Sequence, residues 1–383
     1  MSAEPVPSAA RVPRTRALQS PVAKRAIVIG AGSFGTALAV LLARGGLRTT
    51  LQARTAEQAA VLEAERENRA YLPGVELPPQ LRIEPASAGV TRADYVFLAV
   101  PSSGLREAIS SLGAAGLGRR TSVVSVAKGL VPPDGRPPTT LLSTLFGAQR
   151  IACVGGPAHA QEMVRSGAGL VAASSDEELT RALAGVFTRA GVVCERSNDP
   201  IGVELAGAAK NAAALAAGAT EAQGPNAAGA TEAQGPNAAG AAAGHIFAEV
   251  WRYAVGLGAR PESMIGLAGV GDLVATALAR ESRNRRAGEL LAAGVPAAEI
   301  PGRIGQAVES LEWVPQLASA LERAGVDAPV TSALGRLIAG ELPLDDWIAL
   351  VRTTTPPPAR WRRPQPGLWR RAWRRLRGDR GRA

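Results

Sequence analysis

One short segment near the N-terminus limits the folds that this chain can adopt. The β-branched run at 25–29 is followed by three glycines spaced as Gly30-x-Gly32-x-x-Gly35 and by a helical stretch from Thr36 to Arg44. A strand that ends in a glycine turn and continues as a helix is the first part of a dinucleotide-binding unit. In such a unit the backbone approaches a pyrophosphate closely, and the phosphates lie over the N-terminus of the helix.

The segments that follow alternate between short apolar runs and helical or turn-rich stretches. Further buried strands are predicted at 47–51, 95–100, 122–126 and 151–154. Strands that alternate with helices favour a parallel sheet with helices on both faces. Beyond Pro200 the strand pattern stops, and the chain to about Leu350 has a helical pattern rich in Ala, Gly and Leu. We therefore predict an α/β fold, in which an N-terminal doubly wound Rossmann-type parallel sheet is followed by an all-α C-terminal domain.

A chain of 383 residues has room for two domains of ordinary size. We predict four parts: a disordered N-terminal extension at 1–24, a dinucleotide-binding Rossmann domain at 25–198, an all-helical substrate or catalytic domain at 199–350, and a basic tail at 351–383 rich in Pro, Arg and Trp. Prolines interrupt the extension and no apolar signal core follows it, so a transit peptide is the weaker alternative.

Most of the net charge of +10 lies in the tail, where residues 356–383 contain ten arginines and one acid, Asp379. The folded body is therefore nearly neutral, and no specific nucleic-acid partner is predicted for it. In the tail, Leu368, Trp369, Ala372, Trp373 and Leu376 would share one face of a helix, with arginines opposite. Such a helix can lie in an anionic membrane interface. Non-specific binding of nucleic acid by a basic segment is the alternative.

The cysteine count and the apolar runs bear on the compartment. Neither Cys153 nor Cys194 belongs to a cluster with metal-ligand spacing, so no metal site is predicted. No apolar run approaches the roughly 20 residues that span a bilayer. We expect a cytoplasmic protein, with peripheral membrane association through the tail as an additional possibility.

An isolated lysine, Lys210, stands in the Ala/Gly-rich helical run 202–211. An ammonium group in such surroundings is partly desolvated, which lowers its pKa toward the range where an amine exchanges protons near neutral pH. A lysine that acts as a general acid or base has this property. The alternative is a lysine that lies on a buried face and extends its ammonium group to solvent.

The end of the second predicted strand bears on cofactor choice. About 20 positions after the glycine motif, NAD-binding proteins usually place an acid against the ribose hydroxyls. Here the stretch is Leu51-Gln52-Ala53-Arg54, which has an arginine and no acid. We expect NADP to be preferred, with NAD as the other possible cofactor.

Eleven residues, 218–228, recur without change as 229–239. Pro225 and Pro236 argue against one continuous helix, so each copy is expected to end one turn and begin another. The repeat begins eight positions after Lys210, so it can enlarge a loop beside the site. A neutral duplication is the preferred interpretation, because insertions in loops cost little free energy.

Eight motifs in a fixed order now point to one family. The glycine motif continues as Gly-Ala-Gly-Ser-Phe-Gly-Thr-Ala-Leu-Ala, and it is followed by Tyr71-Leu72-Pro73-Gly74, Ala99-Val100-Pro101-Ser102, Lys128-Gly129-Leu130, Gly156-Pro157, Glu204-Leu205-Ala206-Gly207-Ala208-Ala209-Lys210-Asn211, Gly266-Leu267-Ala268-Gly269-Val270-Gly271-Asp272-Leu273 and Ser282-Arg283-Asn284. Over about residues 25–345 the chain resembles the bacterial NAD(P)-dependent glycerol-3-phosphate dehydrogenase family.

The resemblance implies an oxidoreductase that interconverts dihydroxyacetone phosphate and sn-glycerol 3-phosphate, and we expect a homo-oligomer, specifically a dimer. It implies that Lys210 exchanges the proton of the C2 oxygen, with Asp272 close by. Implied cofactor contacts are Gly30, Gly32, Ser33, Phe34, Gly35, Arg54, Lys128, Ala160, Arg283, Ala307 and Glu309. Implied substrate contacts are Lys128, Gly156, Ala158, Lys210, Asp272, Ser282, Arg283 and Asn284.

Other interpretations of these motifs remain open. Asp272 can be a helix cap, and the charged run 282–286 can be a solvated surface. His159 and His245 match no catalytic position of the family, so both are expected to be structural. The whole chain can also be a related β-hydroxyacid-type dehydrogenase, which the Ser282-Arg283-Asn284 motif disfavours, or a cofactor-binding pseudoenzyme held at a membrane by its tail.

The chain departs from the family pattern at three places. Gly155-Gly156-Pro157-Ala158 stands where the family usually has Ser-Gly-Pro-Ser/Thr, so a hydroxyl near the substrate is missing. Ser310 stands where the family has glycine after the glutamate that Glu309 matches. The duplication at 218–239 interrupts a glycine-rich link. These departures bear on turnover and affinity more than on the fold.

Overall fold

The computed structural model describes residues 23–90, 92–114, 116–221, 236–279 and 282–355. The predictions for the N-terminal extension, for the helix in the tail and for the middle of the duplication lie outside the described residues. The described chain comprises one large sheet with its helices, followed by an assembly of helices.

Eight strands of the described chain form the main sheet in the order β10-β9-β8-β7-β6-β1-β2-β5, and β3 pairs with β4 in a small hairpin. The strands are β1 Arg25–Ile29, β2 Arg48–Ala53, β3 Glu67–Asn68, β4 Leu72–Glu76, β5 Arg82–Pro85, β6 Tyr95–Leu98, β7 Ser122–Ser125, β8 Ile151–Gly155, β9 Gly169–Ala173 and β10 Val193–Ser197. Every neighbouring pair in the main sheet is parallel except β8 and β9. The predicted doubly wound sheet is confirmed, with one antiparallel pair that the alternation pattern did not indicate.

Within the described residues, six helices accompany the sheet: α1 Ser33–Arg44, α2 Ala56–Glu65, α3 Leu105–Ala114, α4 Pro138–Phe146, α5 Ala160–Arg165 and α6 Glu177–Arg189. Nine helices of the part of the chain that the structure describes follow it: α7 Pro200–Glu221, α8 Pro236–Gly256, α9 Pro261–Ile265, α10 Asp272–Leu278, α11 Arg283–Ala292, α12 Ile300–Ile304, α13 Glu309–Arg323, α14 Pro329–Ile338 and α15 Leu344–Thr353. Helix α1 begins at Ser33, three residues before the predicted start, because its first turn is part of the glycine motif. The predicted fold class, a Rossmann-type sheet followed by helices, is confirmed.

Helix α7 is the central helix of the second part, and it is buried on all sides over nearly its whole length. Its alanines and glycines allow close packing. A Cβ atom at Gly218 would overlap the carbonyl oxygen of Arg285, and one at Gly288 would overlap that of Leu215. Helices α7 and α11 therefore meet backbone to backbone. This crossing brings the start of α11 beside the middle of α7.

Two buried carboxylates fasten the first half of α7. Asp199 accepts hydrogen bonds from the backbone N–H of Gly202 at 2.9 Å, from that of Arg260 at 2.7 Å and from the Ser263 hydroxyl at 2.7 Å. Glu204 accepts from the backbone N–H of Thr139 at 3.0 Å and from its hydroxyl at 2.6 Å, at the start of α4. The first contacts hold α7 to α9, and the second holds it to the Rossmann part.

The two copies of the duplication contribute to different helices. The first four residues of the first copy, 218–221, complete α7, and the last four residues of the second copy, 236–239, begin α8. Pro236 is the first residue of α8, a position where proline is favoured because its missing N–H would have no partner in the helix. The expected break in the helix falls at residues 222–235, which lie outside the described residues.

Candidate active site

Lys210 and Asp272 form a buried ion pair at the junction of the two parts of the chain. Lys210 is 6% exposed and Asp272 is 1% exposed. Lys210 Nζ lies 3.2 Å from Asp272 Oδ1, while Lys128 Nζ lies 3.1 Å from Asp272 Oδ2. One carboxylate therefore joins two lysines from different elements. The alternative in which Lys210 extends to solvent is wrong.

The surroundings of these groups change their proton affinities. The pKa of Lys210 falls to about 7, since burial has the largest effect, the charge of Lys128 adds to it, and Asp272 opposes both. Burial raises the pKa of Asp272, but the two lysines outweigh it and the net pKa lies below its usual value. At neutral pH the carboxylate is therefore ionised, and the Lys210 amine exists in both protonation states.

A π-helical turn at Leu267–Gly271 places Asp272 at the first position of α10. A Cβ atom at Gly269 would overlap the carbonyl oxygen of Met264, so this tight turn requires glycine. π-helical turns of this kind occur often at functional sites. Both carboxylate oxygens of Asp272 contact ammonium groups. Asp272 is therefore not the helix cap that the sequence left open.

Lys128 connects this pair to the glycine turn. It follows β7, and its Nζ lies 3.5 Å from the carbonyl oxygen of Gly156 and 5.8 Å from the centre of the Phe34 ring. Phe34 lies in the first turn of α1. The glycine turn, Lys128 and the buried ion pair therefore border one region, as the motifs predicted.

The glycine turn fits a dinucleotide. Gly30 has φ +110°, and a side chain there would lie 2.5 Å from the carbonyl oxygen of Ala99. A Cβ atom at Gly35 would overlap the carbonyl oxygen of Gly30, whereas one at Gly32 meets no atom within 4 Å. The space beside Gly32 lies at the N-terminus of α1, which has no side-chain cap. Unpaired backbone N–H groups at a helix N-terminus suit phosphate oxygens.

Arg54 follows β2 directly, and β2 lies beside β1 in the sheet. The backbone N–H of Gly30 donates to the carbonyl oxygen of Gln52 at 3.0 Å, which joins the end of β2 to the glycine turn. Arg54 is exposed, and its guanidinium forms no ion pair with the part of the chain that the structure describes. A free arginine at this place suits the 2′-phosphate of NADP.

Comparison with known proteins agrees with this geometry. Residues 25–180 match the NAD-dependent glycerol-3-phosphate dehydrogenase N-terminus, and residues 199–349 match the corresponding C-terminus. The chain belongs to this glycerol-3-phosphate dehydrogenase family. The resemblance carried by the eight motifs is thereby confirmed.

Individual members of the family are similar to most of this chain. It is 40% identical over 316 residues to the glycerol-3-phosphate dehydrogenase [NAD(P)+] of Deinococcus radiodurans, covering 82% of this chain and 90% of the relative. It is 39% identical over 318 residues to the enzyme of that name from Thermus thermophilus, covering 82% and 93%. The crystal structure of glycerol-3-phosphate dehydrogenase from Coxiella burnetii has a TM-score of 0.79 at 28% identity, covering 87% and 100%. These matches do not favour a different dehydrogenase or a pseudoenzyme.

The three residues of the Ser282-Arg283-Asn284 motif lie in three different environments. The Ser282 hydroxyl caps α11 by accepting from the backbone N–H of Arg285 at 3.4 Å. Arg283 is exposed and donates to Gln306 Oε1 at 3.2 Å and to the carbonyl oxygen of Ala307 at 3.3 Å. Asn284 points inward and donates to Asn211 Oδ1 at 2.9 Å. The surface interpretation therefore holds for Arg283 and not for Asn284.

Other residues that the family pattern indicates border the same region. Glu309 Oε2 accepts from the backbone N–H of Ser102 at 3.4 Å, and burial raises the pKa of this carboxyl. Ala158 is buried and Ala160 begins α5. Between them stands His159, whose pKa is lowered by burial and then by the charges of Lys210 and Lys128. The sequence interpretation treated His159 as structural and did not indicate that the charges of these lysines act on it.

Sequence reasoning also missed Asn211 and the contact that Ser310 makes. Asn211 Nδ2 donates to the carbonyl oxygen of Lys128 at 3.4 Å, and the Ser310 hydroxyl donates to Asn284 Oδ1 at 2.7 Å. Asn211 follows Lys210 directly, so its position was a usable signal. Nothing in the sequence pattern indicated that Ser310 would contact Asn284.

Proposed function

We propose that this chain interconverts dihydroxyacetone phosphate and sn-glycerol 3-phosphate by hydride transfer with NADPH, or with NADH at lower preference. The observation that carries the proposal is the Lys210–Asp272 ion pair, buried beside Lys128 and the glycine turn. Family membership gives the substrate class. The product would supply glycerol phosphate for phospholipid synthesis.

In this proposal Lys210 is the proton donor and acceptor at the C2 oxygen of the triose. The bound nicotinamide supplies or takes up the hydride. During reduction the Lys210 ammonium gives a proton to the oxygen as negative charge develops there, and a pKa of about 7 suits an amine that must return the proton in the reverse reaction. Asp272 holds the Lys210 and Lys128 ammonium groups in fixed positions. The charge of Lys128 further stabilises an oxyanion.

The remaining roles follow from side-chain chemistry and from the family pattern. Arg283 has a forked and permanently charged donor set that suits phosphate oxygens, and Asn284 can donate an amide N–H beside it. Arg54 would bind the 2′-phosphate of NADP. The other proposed contacts are the cofactor contacts Gly30, Gly32, Ser33, Phe34, Gly35, Ala160, Ala307 and Glu309, and the substrate contacts Gly156, Ala158 and Ser282, where Ser282 acts through its cap of α11.

The test is NADPH oxidation in the presence of dihydroxyacetone phosphate, followed by absorbance. Lys210→Ala should abolish turnover while NADPH binding is retained. The chain has three lysines, and Lys24, which precedes β1 at the end opposite to the glycine turn, provides the matched control, Lys24→Ala. Binding of NADPH without oxidation by the unaltered chain would contradict the catalytic assignment.

A peripheral membrane contact through residues 356–383 is part of the proposal. Its support is the sequence pattern of arginines opposite an apolar face. Among the described residues, no helix has the length and apolar character to cross a bilayer. Co-sedimentation with vesicles of anionic lipid should require residues 356–383. Equal pelleting of the full chain and of a chain ending at Thr355 would contradict the membrane contact, and competition by DNA at equal charge would favour non-specific nucleic-acid binding.

We also propose a homodimer. Ile265 is 72% exposed, Val270 42% and Val274 50%, and they lie on consecutive helical segments from α9 to α10. Burial of these side chains between two copies would remove apolar surface from water. Light scattering during size-exclusion chromatography should give twice the chain mass of 39.3 kDa. A monomer mass at micromolar concentration would contradict the dimer.

A further inference from the structure

A line of three hydrogen bonds runs from α13 to the loop that carries Lys128. The Ser310 hydroxyl contacts Asn284 Oδ1 at 2.7 Å, Asn284 Nδ2 contacts Asn211 Oδ1 at 2.9 Å, and Asn211 Nδ2 contacts the carbonyl oxygen of Lys128 at 3.4 Å. The four residues come from four separate elements of the chain. Lys128 and Asn284 belong to the proposed substrate site and Asn211 adjoins it, whereas Ser310 is not part of that site.

The chemistry of the last contact fixes the direction of all three. A backbone carbonyl can only accept, so Asn211 must present its amide nitrogen to Lys128. The amide oxygen of Asn211 then faces Asn284 and can only accept, so Asn284 must present nitrogen in turn. The oxygen of Asn284 is thereby left for Ser310, whose hydroxyl must donate. Each of the two amides can therefore adopt only one orientation.

Ser310 occupies the end of this line and is withdrawn from solvent. Its exposed fraction is 1%, so water does not replace the hydroxyl as a donor to Asn284. Without that donor, the part-buried Asn284 oxygen would be an acceptor with one fewer partner, and rotation of the amide would place nitrogen against nothing that accepts. Rotation of Asn284 would also put its oxygen against the oxygen of Asn211.

We propose that Ser310 is a positioning residue: its hydroxyl donates to the Asn284 oxygen, holds the two amides in the orientation that the Lys128 carbonyl sets, and so aims the remaining N–H of Asn284 and Asn211 at the triose phosphate. Each amide nitrogen carries two hydrogens, and the line uses one of them. The second hydrogen is available to a phosphate or hydroxyl oxygen. This inference rests on the proposed function for the identity of the substrate, and it extends that function to a residue that touches no ligand.

The inference predicts a change in substrate affinity and not in cofactor affinity. Ser310→Ala should raise the KM for dihydroxyacetone phosphate roughly tenfold, the size expected when a part-buried acceptor loses its donor. The KM for NADPH and the midpoint of the pH profile should stay unchanged, because the line meets Lys128 only at its backbone carbonyl and includes none of the charged groups of Lys128, Asp272 and Lys210. Ser310→Thr retains the hydroxyl and should restore affinity. Ser319→Ala is the matched control, since Ser319 lies on the same helix and its exposed hydroxyl donates to Pro315 of its own helix.

A double-mutant cycle separates positioning from general packing. If Ser310 acts through Asn284, Ser310→Ala should have no further effect on KM in a chain that already carries Asn284→Ala. If Ser310→Ala raised the KM by the same factor in the unaltered chain and in the Asn284→Ala chain, that result would overturn the inference. So would a KM for dihydroxyacetone phosphate that Ser310→Ala leaves unchanged, or a loss confined to the KM for NADPH.

Calorimetric binding of sn-glycerol 3-phosphate in the presence of NADP+ provides a readout independent of turnover. A weaker affinity in Ser310→Ala, restored in Ser310→Thr, supports positioning. If the unaltered chain binds the compound but does not oxidise it, the proposed reaction fails while the positioning role still stands on the binding data. If the unaltered chain does not bind it, both fail. Unchanged affinity in Ser310→Ala overturns the positioning role alone.

Discussion

Lys210 Nζ lies 3.2 Å from Asp272 Oδ1, and each side chain is almost completely withdrawn from solvent. The second oxygen of the same carboxylate contacts Lys128. Two ammonium groups in one buried site would repel each other without this carboxylate. Asp272 therefore controls both the separation of the lysines and the proton affinity of Lys210.

Replacement of Asp272 by asparagine should change the pH dependence of reduction. Asp272 raises the pKa of Lys210 against the larger effect of burial, so its loss lowers that pKa below about 7. The protonated form of Lys210 then disappears at lower pH, and kcat/KM for reduction should begin to fall at lower pH than in the unaltered chain. At pH 7.5 we expect a loss of roughly 100-fold. Asp346→Asn, on the exposed face of α15, is the control, and an unshifted profile in Asp272→Asn would contradict the proton-donor role of Lys210.

Replacement of Arg54 by alanine should change cofactor selectivity. If Arg54 binds the 2′-phosphate, Arg54→Ala should raise the KM for NADPH by about tenfold or more and leave the KM for NADH nearly unchanged. Arg48→Ala provides the matched control, because Arg48 is exposed at the opposite end of the same strand. Steady-state kinetics with both cofactors make the measurement. An equal effect on NADPH and NADH would show that Arg54 does not recognise the phosphate.

The close contact between α7 and α11 should not tolerate a side chain at Gly218. Gly218→Ala is expected to lower the free energy of unfolding by about 2–4 kcal/mol, because the methyl group must displace backbone on the facing helix. Gly244→Ala on α8 is the control, since a Cβ there meets no atom within 4 Å. That substitution should be neutral or stabilise by about 0.5–1 kcal/mol. Urea unfolding measures both, and equal stability of the two variants would disprove the backbone contact.

Removal of one copy of the duplication should leave the fold and the activity intact. Deletion of residues 222–232 keeps every residue of α7 and α8 and leaves Ala233-Gln234-Gly235 between them. Connections of two to five residues commonly join antiparallel helices. We expect kcat to change by less than about twofold and the thermal midpoint by only a few degrees. A large loss of turnover would instead assign the duplicated segment a role at the site.

Glu204 should make stability depend on pH. Burial raises its pKa from 4.5 to about 8, with hydrogen bonds from Thr139 acting in the opposite direction. The folded protein then holds this proton more tightly than the unfolded chain. The stabilisation of the folded state that comes from protonated Glu204 is fully present below pH 4.5. It is lost as the pH rises toward 8, and the free energy of unfolding then falls by at most about 1.4 kcal/mol per pH unit. Glu204→Gln should flatten this slope in urea unfolding at pH 5, 6.5 and 8, whereas the surface variant Glu262→Gln should not.

Local sequence patterns predicted the first part of the fold well. The β1–α1 unit depends on residues adjacent in sequence, so the glycine motif located it. The patterns missed β5, β9 and β10 of the main sheet and the β3–β4 hairpin. β9 is the glycine- and alanine-containing run Gly169–Ala173, and β10 lies exposed at the sheet edge. The patterns also did not indicate the antiparallel β8–β9 pair of the main sheet, since the direction of a strand depends on how the chain returns after β8 and not on the composition of β9.

The candidate site was predictable to different depths. Lys210 stood out from its apolar helix, and the ordered motifs supplied Asp272 and Lys128. The line through Asn284 and Ser310 joins residues 26, 73 and 83 positions apart, and no local pattern contains that information. It depends on the crossing of α7 and α11, which is a property of the packed chain.

Helix α7 also sets the direction in which the Lys210 side chain points. Asp199 and Glu204 fasten its first turns to neighbouring elements, and Lys210 follows them on the same uninterrupted helix. Each residue of an α-helix advances the direction of its side chain by about 100°. One residue inserted between Glu204 and Lys210 would therefore turn the ammonium group away from Asp272, although the chemical composition of the helix would hardly change. The eleven added residues of this chain come after Lys210, where they leave that angle unaltered.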